Sequence, residues 1–103
     1  MQKDTYKGQA DQAQIDAWKA QHGEVSAIIC DGRICYLKKP SRKALSYASS
    51  IGTKDPIKFN ELILNDCFLG GDEAFKTDDS FFLAASAQIP ALIEVKEAEL
   101  VKL

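Results

Sequence analysis

The sequence predicts an α+β domain: an N-terminal helix, a two-stranded antiparallel hairpin, then a mainly helical C-terminal two-thirds. Three observations carry this expectation. Asp31-Gly32 separates two β-rich runs, and Asp-Gly suits a turn whose two central residues need positive φ. Apolar residues recur at three- and four-residue spacing on both sides of that ribbon. Capping residues open these periodic stretches, and Gly or Pro closes them. With 103 residues, the chain has the length of one domain with one modest core, so a single unit spanning 1–103 is expected.

Residues 1–8 read as a loose start. A helix follows from about Asp11 to Gln21, with Ile15 and Trp18 on one side and Gly23 as its stop. In the hairpin "EVSAIICDGRICYLKKP", a two-residue turn sets Cys30 opposite Arg33, Ile29 opposite Ile34, Ile28 opposite Cys35, Ala27 opposite Tyr36 and Ser26 opposite Leu37. One face then carries Ile28, Cys30, Cys35 and Leu37, and the other Ala27, Ile29, Ile34 and Tyr36. Both faces are apolar. A lone ribbon is marginal in water, and the helices of one small domain are expected to cover one side. The other side needs a further element, a second copy or a partner.

Pro40 ends the ribbon, and Ser41 caps a helix through about Gly52 with Ala44, Tyr47, Ala48 and Ile51 as its inward stripe. In "DPIKFNELILNDCFLGG", Asp55 serves as N-cap, Pro56 fits the first helical position and Gly70-Gly71 supplies the stop. Phe59, Leu62, Ile63, Cys67 and Phe68 form its apolar face. Asp78 or Asp79 opens a helix that buries Phe82, Ala85 and Ile89, and Pro90 kinks or restarts it. The remainder continues as helix with Leu92, Val95 and Leu100 inward. The expected order is α-ββ-αααα.

Composition narrows the function classes. The net charge of -2 and pI near 5.3 supply no basic excess for nucleic acid or an anionic membrane. No apolar run approaches the ~20 residues of a membrane span, and the first residues lack a signal-like apolar stretch. A cytoplasmic protein is expected. Cys30, Cys35 and Cys67 are an odd set and read as reduced, buried thiols. Four residues intervene between Cys30 and Cys35, where redox and zinc motifs have two.

Those three cysteines with His22 nominally make a Cys3His zinc set, and His22 beside a thiol would make a nucleophile pair. Apolar packing of the sulfurs and a helix-terminal role for His22 need less machinery. No catalytic residue, metal or cofactor is therefore assigned. The acids Asp66, Asp72, Glu73, Asp78 and Asp79 lack the spacing of a calcium loop, and helix capping accounts for them. "KKPSRK", Lys38 to Lys43, reads as a solvated connection because no interleaved aromatics accompany it.

"GGDEAF", Gly70 to Phe75, approaches the GGDEF signature of diguanylate cyclases. Its flanks are helical rather than strands of a hairpin, Ala74 displaces the final Phe, and no partner metal ligand is placed. A helix stop at Gly70-Gly71 is the simpler account.

The run from "KKPSRKALSYASS" through "DPIKFNELILNDCFLGGDE" to "DDSFFLAASAQIPALIEVKEAELVKL" resembles small proteins encoded among phage or prophage tail genes, closest to the tail assembly chaperone class. The likeness spans the last two-thirds of the chain and rests on Pro40-Ser41-Arg42, Asp55-Pro56, Leu64 to Phe68 ahead of Gly70-Gly71-Asp72-Glu73, and the ending Glu99 to Leu103. It implies a non-enzymatic protein in the host-cell cytoplasm that coats a long, helical tape-measure partner. The contact residues expected from the ribbon are Ala27, Ile29, Ile34 and Tyr36, with Phe68 and Phe81 as lesser candidates. The alternative is a homo-oligomeric phage structural component in which the ribbon pairs across a symmetry axis. A small metal-dependent enzyme built on Cys30, Cys35, Cys67 and His22 ranks last.

Overall fold

The computed structural model describes residues 6–52, 54–93 and 98–103. Helix α1 (Gln12–His22) begins where the Asp11 carboxylate accepts the Gln14 N–H at 2.8 Å and ends at Gly23. Strands β1 (Val25–Cys30) and β2 (Arg33–Lys38) pair antiparallel in the register set by the Asp31-Gly32 turn, from Cys30↔Arg33 to Val25↔Lys38. Both turn residues have positive φ, 49° and 77°, as the Asp-Gly signature requires.

Helices α2 (Arg42–Gly52) and α3 (Pro56–Cys67) pack on each other as a helical hairpin. The Ser41 hydroxyl accepts the Ala44 N–H at 3.0 Å, and Asp55 accepts the Lys58 N–H at 3.1 Å. Each such cap is worth about 1 kcal/mol. After α4 (Ala74–Thr77), Asp78 caps α5 (Asp79–Ser86) by accepting from Ser80 and Phe81, and Pro90 sits in the first turn of α6 (Ile89–Leu92). The class is α+β, as the sequence predicts.

The sheet has a third strand. Gly70 and Gly71 do not stop α3: its C-cap is Phe68, and β3 (Phe68–Gly71) pairs antiparallel with β2, giving the order β1-β2-β3. The physical reason is space. A Cβ on Gly71, whose φ is 123°, would lie 2.5 Å from the Cys35 Cα, and one on Gly70 would lie 2.9 Å from the Trp18 ring. Only glycine lets this strand close on β2 while α1 crosses above it.

The described part of the expected loose start, residues 6–8, is also tied down, and residues 1–5 lie outside the described residues. Lys7 donates its N–H to the Gly32 carbonyl and accepts the Ile34 N–H, 2.9 and 3.0 Å, so residues 6–8 are not the loose segment expected.

The core lies between the sheet and α3, α5 and α6. Cys35 and Leu37 of the sheet meet Ile63, Leu64 and Cys67 of α3, with Phe75, Ala85 and Ile89 closing the other side. Phe75, inside the stretch read as punctuation, is fully buried and stands edge-on to Phe81 with ring centroids 5.4 Å apart.

Two other expectations shift. The buried side of α2 runs through Leu45, Ala48 and Gly52 toward α3, so Tyr47 and Ile51 are exposed. After α6, Leu100 is exposed and outside any helix, and Val95 falls outside the described residues.

Candidate protein-docking site

The two faces of the ribbon have different fates. Ile28, Cys35 and Leu37 face the helical layer and are buried. On the opposite face Trp18 of α1 packs on Tyr36 with ring centroids 5.3 Å apart, and the Tyr36 hydroxyl accepts the Ala10 N–H at 3.1 Å. Tyr36 and Ile34 are consequently buried within this molecule, at 5% and 6% exposure. Ala27 and Ile29, on the same face one strand over, remain exposed, Ile29 at 53%. The expected four-residue contact face is thus split. Its β2 half belongs to the core, and its β1 half faces out.

Phe68 and Phe81 sit elsewhere. Both are half-buried against the core, and a cation covers each ring: Lys76 Nζ lies 4.8 Å from the Phe68 centroid and the Arg33 guanidinium 4.9 Å from that of Phe81. Arg33 also pairs with Asp72 at 3.2 Å, and Asp72 accepts the Ala74 N–H at 2.8 Å. This N–H, helped by Arg33 and Lys7, holds the Asp72 carboxyl below the usual carboxylate range against the opposing effect of desolvation. The cluster clasps the start of β2 to α4 and α5. Ile34 and Tyr36 lie across β2 from it, so none of these groups converges with Ala27 and Ile29.

The outer side of β1 is an open edge. Ile34 donates to the Lys7 carbonyl and accepts the Asp72 N–H, both at 3.0 Å, so its polar groups point away from β1. By strand alternation Arg33, Cys35 and Leu37 point theirs toward β1. Their register partners Cys30, Ile28 and Ser26 are therefore the residues bonded to β2. Val25, Ala27 and Ile29 turn their N–H and C=O groups outward, where no strand of the described residues lies. Such an edge is a template for one more strand.

Beneath this edge runs a groove of about 490 Å³. Residues 26–30 form one wall, Leu37 the inner end, and Ala84, Gln88, Ala91 and Leu92 the opposite wall. The helical layer thus continues under the position a fourth strand would take. The lining is small and apolar apart from Ser26 and Gln88, and acidic residues, Glu24 and Asp31, stand at the two ends of β1.

Cys30 lines the groove, while Cys35 and Cys67 take no part in such a site. Burial pushes the Cys35 thiol up to about 12 and the Cys67 thiol up to about 11, which keeps both protonated and inert. Among the described residues, no three His, Cys, Asp or Glu side chains are grouped to hold a metal ion. No helix of the described residues is long and apolar enough to cross a membrane.

Strand alternation alone placed Ala27 and Ile29 on one face. It could not separate them from Ile34 and Tyr36, because the covering group, Trp18, comes from another element. The groove wall of Ala84, Gln88 and Ala91 carries no sequence signal beyond small residues on a helix. Comparison with protein-family models, curated proteins and solved structures finds no match to this chain.

Proposed function

We propose that this chain is a non-enzymatic protein-binding protein that holds an apolar segment of its partner along the outer edge of β1 and in the groove below. One observation carries the reading: an unpaired strand edge coincides with an apolar groove that the helical layer already floors. A bound segment satisfies the outward N–H and C=O groups of Val25, Ala27 and Ile29 and places alternate side chains in the groove. Each Leu- or Val-sized side chain moved out of water there contributes about 1.5–3 kcal/mol. Ala27 and Ile29 flank the same segment on the other face.

The resemblance to tail assembly chaperones supports the finer reading, in which the partner is a helical tape-measure protein in the host cytoplasm. There the helix is held by side-chain contacts alone: its apolar stripe lies against Ala27, Ile29 and the groove mouth until assembly, while the N–H and C=O groups of the β1 edge, which a helix does not satisfy, stay in water. The test is co-expression of wild-type and Ile29→Asp forms with a long helical protein of the tape-measure kind, taken from the neighbouring genes where one is encoded there. Ile29 is half-exposed, so the substitution costs about 1 kcal/mol in strand preference, small against the roughly 5–15 kcal/mol of a folded domain, and abolishes co-purification. Equal co-purification of both forms overturns the docking site. Two soluble proteins that never co-purify overturn the chaperone reading.

A second reading uses the same open edge between copies of this chain, as a homo-oligomeric phage structural component. Light scattering after gel filtration separates the two: an oligomer that forms without any partner and persists on dilution favours the structural component.

A further inference from the structure

Residues 98–103 present a second unsatisfied apolar surface. Leu100 is 90% exposed and Val101 61%, and the segment has no regular secondary structure. All six residues of the segment are exposed.

Resting on the reading of the β1 groove as a docking site, we infer that its occupant in the absence of another partner is residues 98–103 of a second copy, paired antiparallel as a fourth strand. The charges select one register. With Lys102 of the incoming segment opposite Glu24, Val101 falls opposite Val25, Leu100 opposite Ser26 and Glu99 opposite Ala27. Opposed residues of an antiparallel pair share a face. Leu100 then enters the groove between β1 and the wall of Ala84, Gln88 and Ala91, while Glu99 stays on the solvent face.

Lys102 reaches a carboxylate whose existing ion pair, with Lys39, is long at 3.8 Å. Val101 and Glu99 direct their backbone groups at the outward-facing Val25 and Ala27. A segment this short covers far less than the ~800 Å² per partner of a stable complex. The pairing is therefore weak and exchangeable, and a longer partner displaces it. Because the edge and the segment are different surfaces, the contact is heterologous: two copies that exchange segments reciprocally close as a dimer, and any other rotation continues to larger species.

The test is light scattering of the intact protein over a concentration series. Wild type rises in mass with concentration, to two copies or more. Ala27→Pro removes one outward N–H without touching the ladder to β2, a substitution edge strands accept, and stays monomeric. Leu100→Asp also stays monomeric. Mixed in equal amounts, the two variants form a species of two chains and no larger, since one supplies the only intact segment and the other the only intact edge.

Glu24→Lys and Lys102→Glu, both at exposed positions, guard against misfolding of the first pair. Each alone lowers the mass, and together they restore it. A wild type that is monomeric throughout, or a mass indifferent to Leu100→Asp, overturns the inference. A mixture that fails to associate points to β1 pairing with β1 instead and also overturns it. In each of these cases loss of partner capture by Ile29→Asp would still stand, so the groove reading and this inference fail separately.

Discussion

Replacing Gly71 by alanine tests the third strand directly, because the two accounts of the Gly70-Gly71 pair differ in energy. As a helix stop, Gly71→Ala costs about 1–2 kcal/mol for a side chain at positive φ. In the structure the new Cβ lies 2.5 Å from the Cys35 Cα and 2.6 Å from the Ile34 carbonyl oxygen, both backbone atoms of the central strand. Relief requires β2 and β3 to separate within a packed layer, an overpacking cost of about 1–3 kcal/mol, on top of about 1–3 kcal/mol of backbone strain. The sum is about 4 kcal/mol, against a total stability of roughly 5–15 kcal/mol for a domain of this kind.

Gly32→Ala is the matched control. Its φ of 77° is also positive, but a Cβ there meets nothing within 4 Å, so it costs about 1–2 kcal/mol. Urea unfolding followed by far-UV circular dichroism reads both. With a slope of about 1–3 kcal/mol per molar urea, the Gly71→Ala midpoint falls by about 2 M and that of Gly32→Ala by under about 1 M. Equal midpoints for the two variants would refute the close approach of β3 to β2.

Three further outcomes follow from the same geometry. Folding holds the Asp72 carboxyl below the usual range, so its stabilising contribution is present above that range and is lost as the pH falls through it toward the lower folded value. Thermal midpoints measured against pH should show a steep acid limb in wild type and a shallower one in Asp72→Asn. Conversely, Cys35 and Cys67 are raised from 9.0 to about 12 and about 11. Their contribution is complete below pH 9 and is lost as the pH rises toward those values. A thiol reagent at mildly alkaline pH should therefore label only the half-buried Cys30 in the native protein and all three cysteines in denaturant. Trp18→Ala removes the ring that covers Tyr36 and Gly70 and should cost about 2 kcal/mol in urea melts, less than the 3–5 kcal/mol typical of a fully buried aromatic.

Local chemistry made much of this fold legible. Asp31-Gly32 fixes the hairpin register because few residue pairs accept two positive φ values in succession, and Asp11, Ser41, Asp55 and Asp78 mark helix starts because their oxygens satisfy free N–H groups. β3 was hidden because its residues, Phe68 to Gly71, include two glycines and no β-branched side chain. It is a strand through its contacts with β2 and Trp18, which no local pattern encodes. The inward side of α2 was misplaced for a related reason. Its apolar arc is wider than the surface α3 can cover, so Tyr47 and Ile51 look like core in sequence and lie outside it. At the candidate docking site, alternation grouped Ala27, Ile29, Ile34 and Tyr36 on one face, and the tertiary cover from α1 decided which half of it stays open.

Because β2 takes its last neighbours from Phe68 to Gly71, the sheet cannot be finished while the ribosome is still making the middle of the chain. The ribbon emerges first, bare along the flank of β2 that faces away from β1, and waits for sequence that comes much later. A product broken off before residue 68 is left permanently sticky, fit for capture by quality control rather than for work. The position of one short, glycine-rich strand thus makes synthesis past Gly71 a condition of completing the sheet.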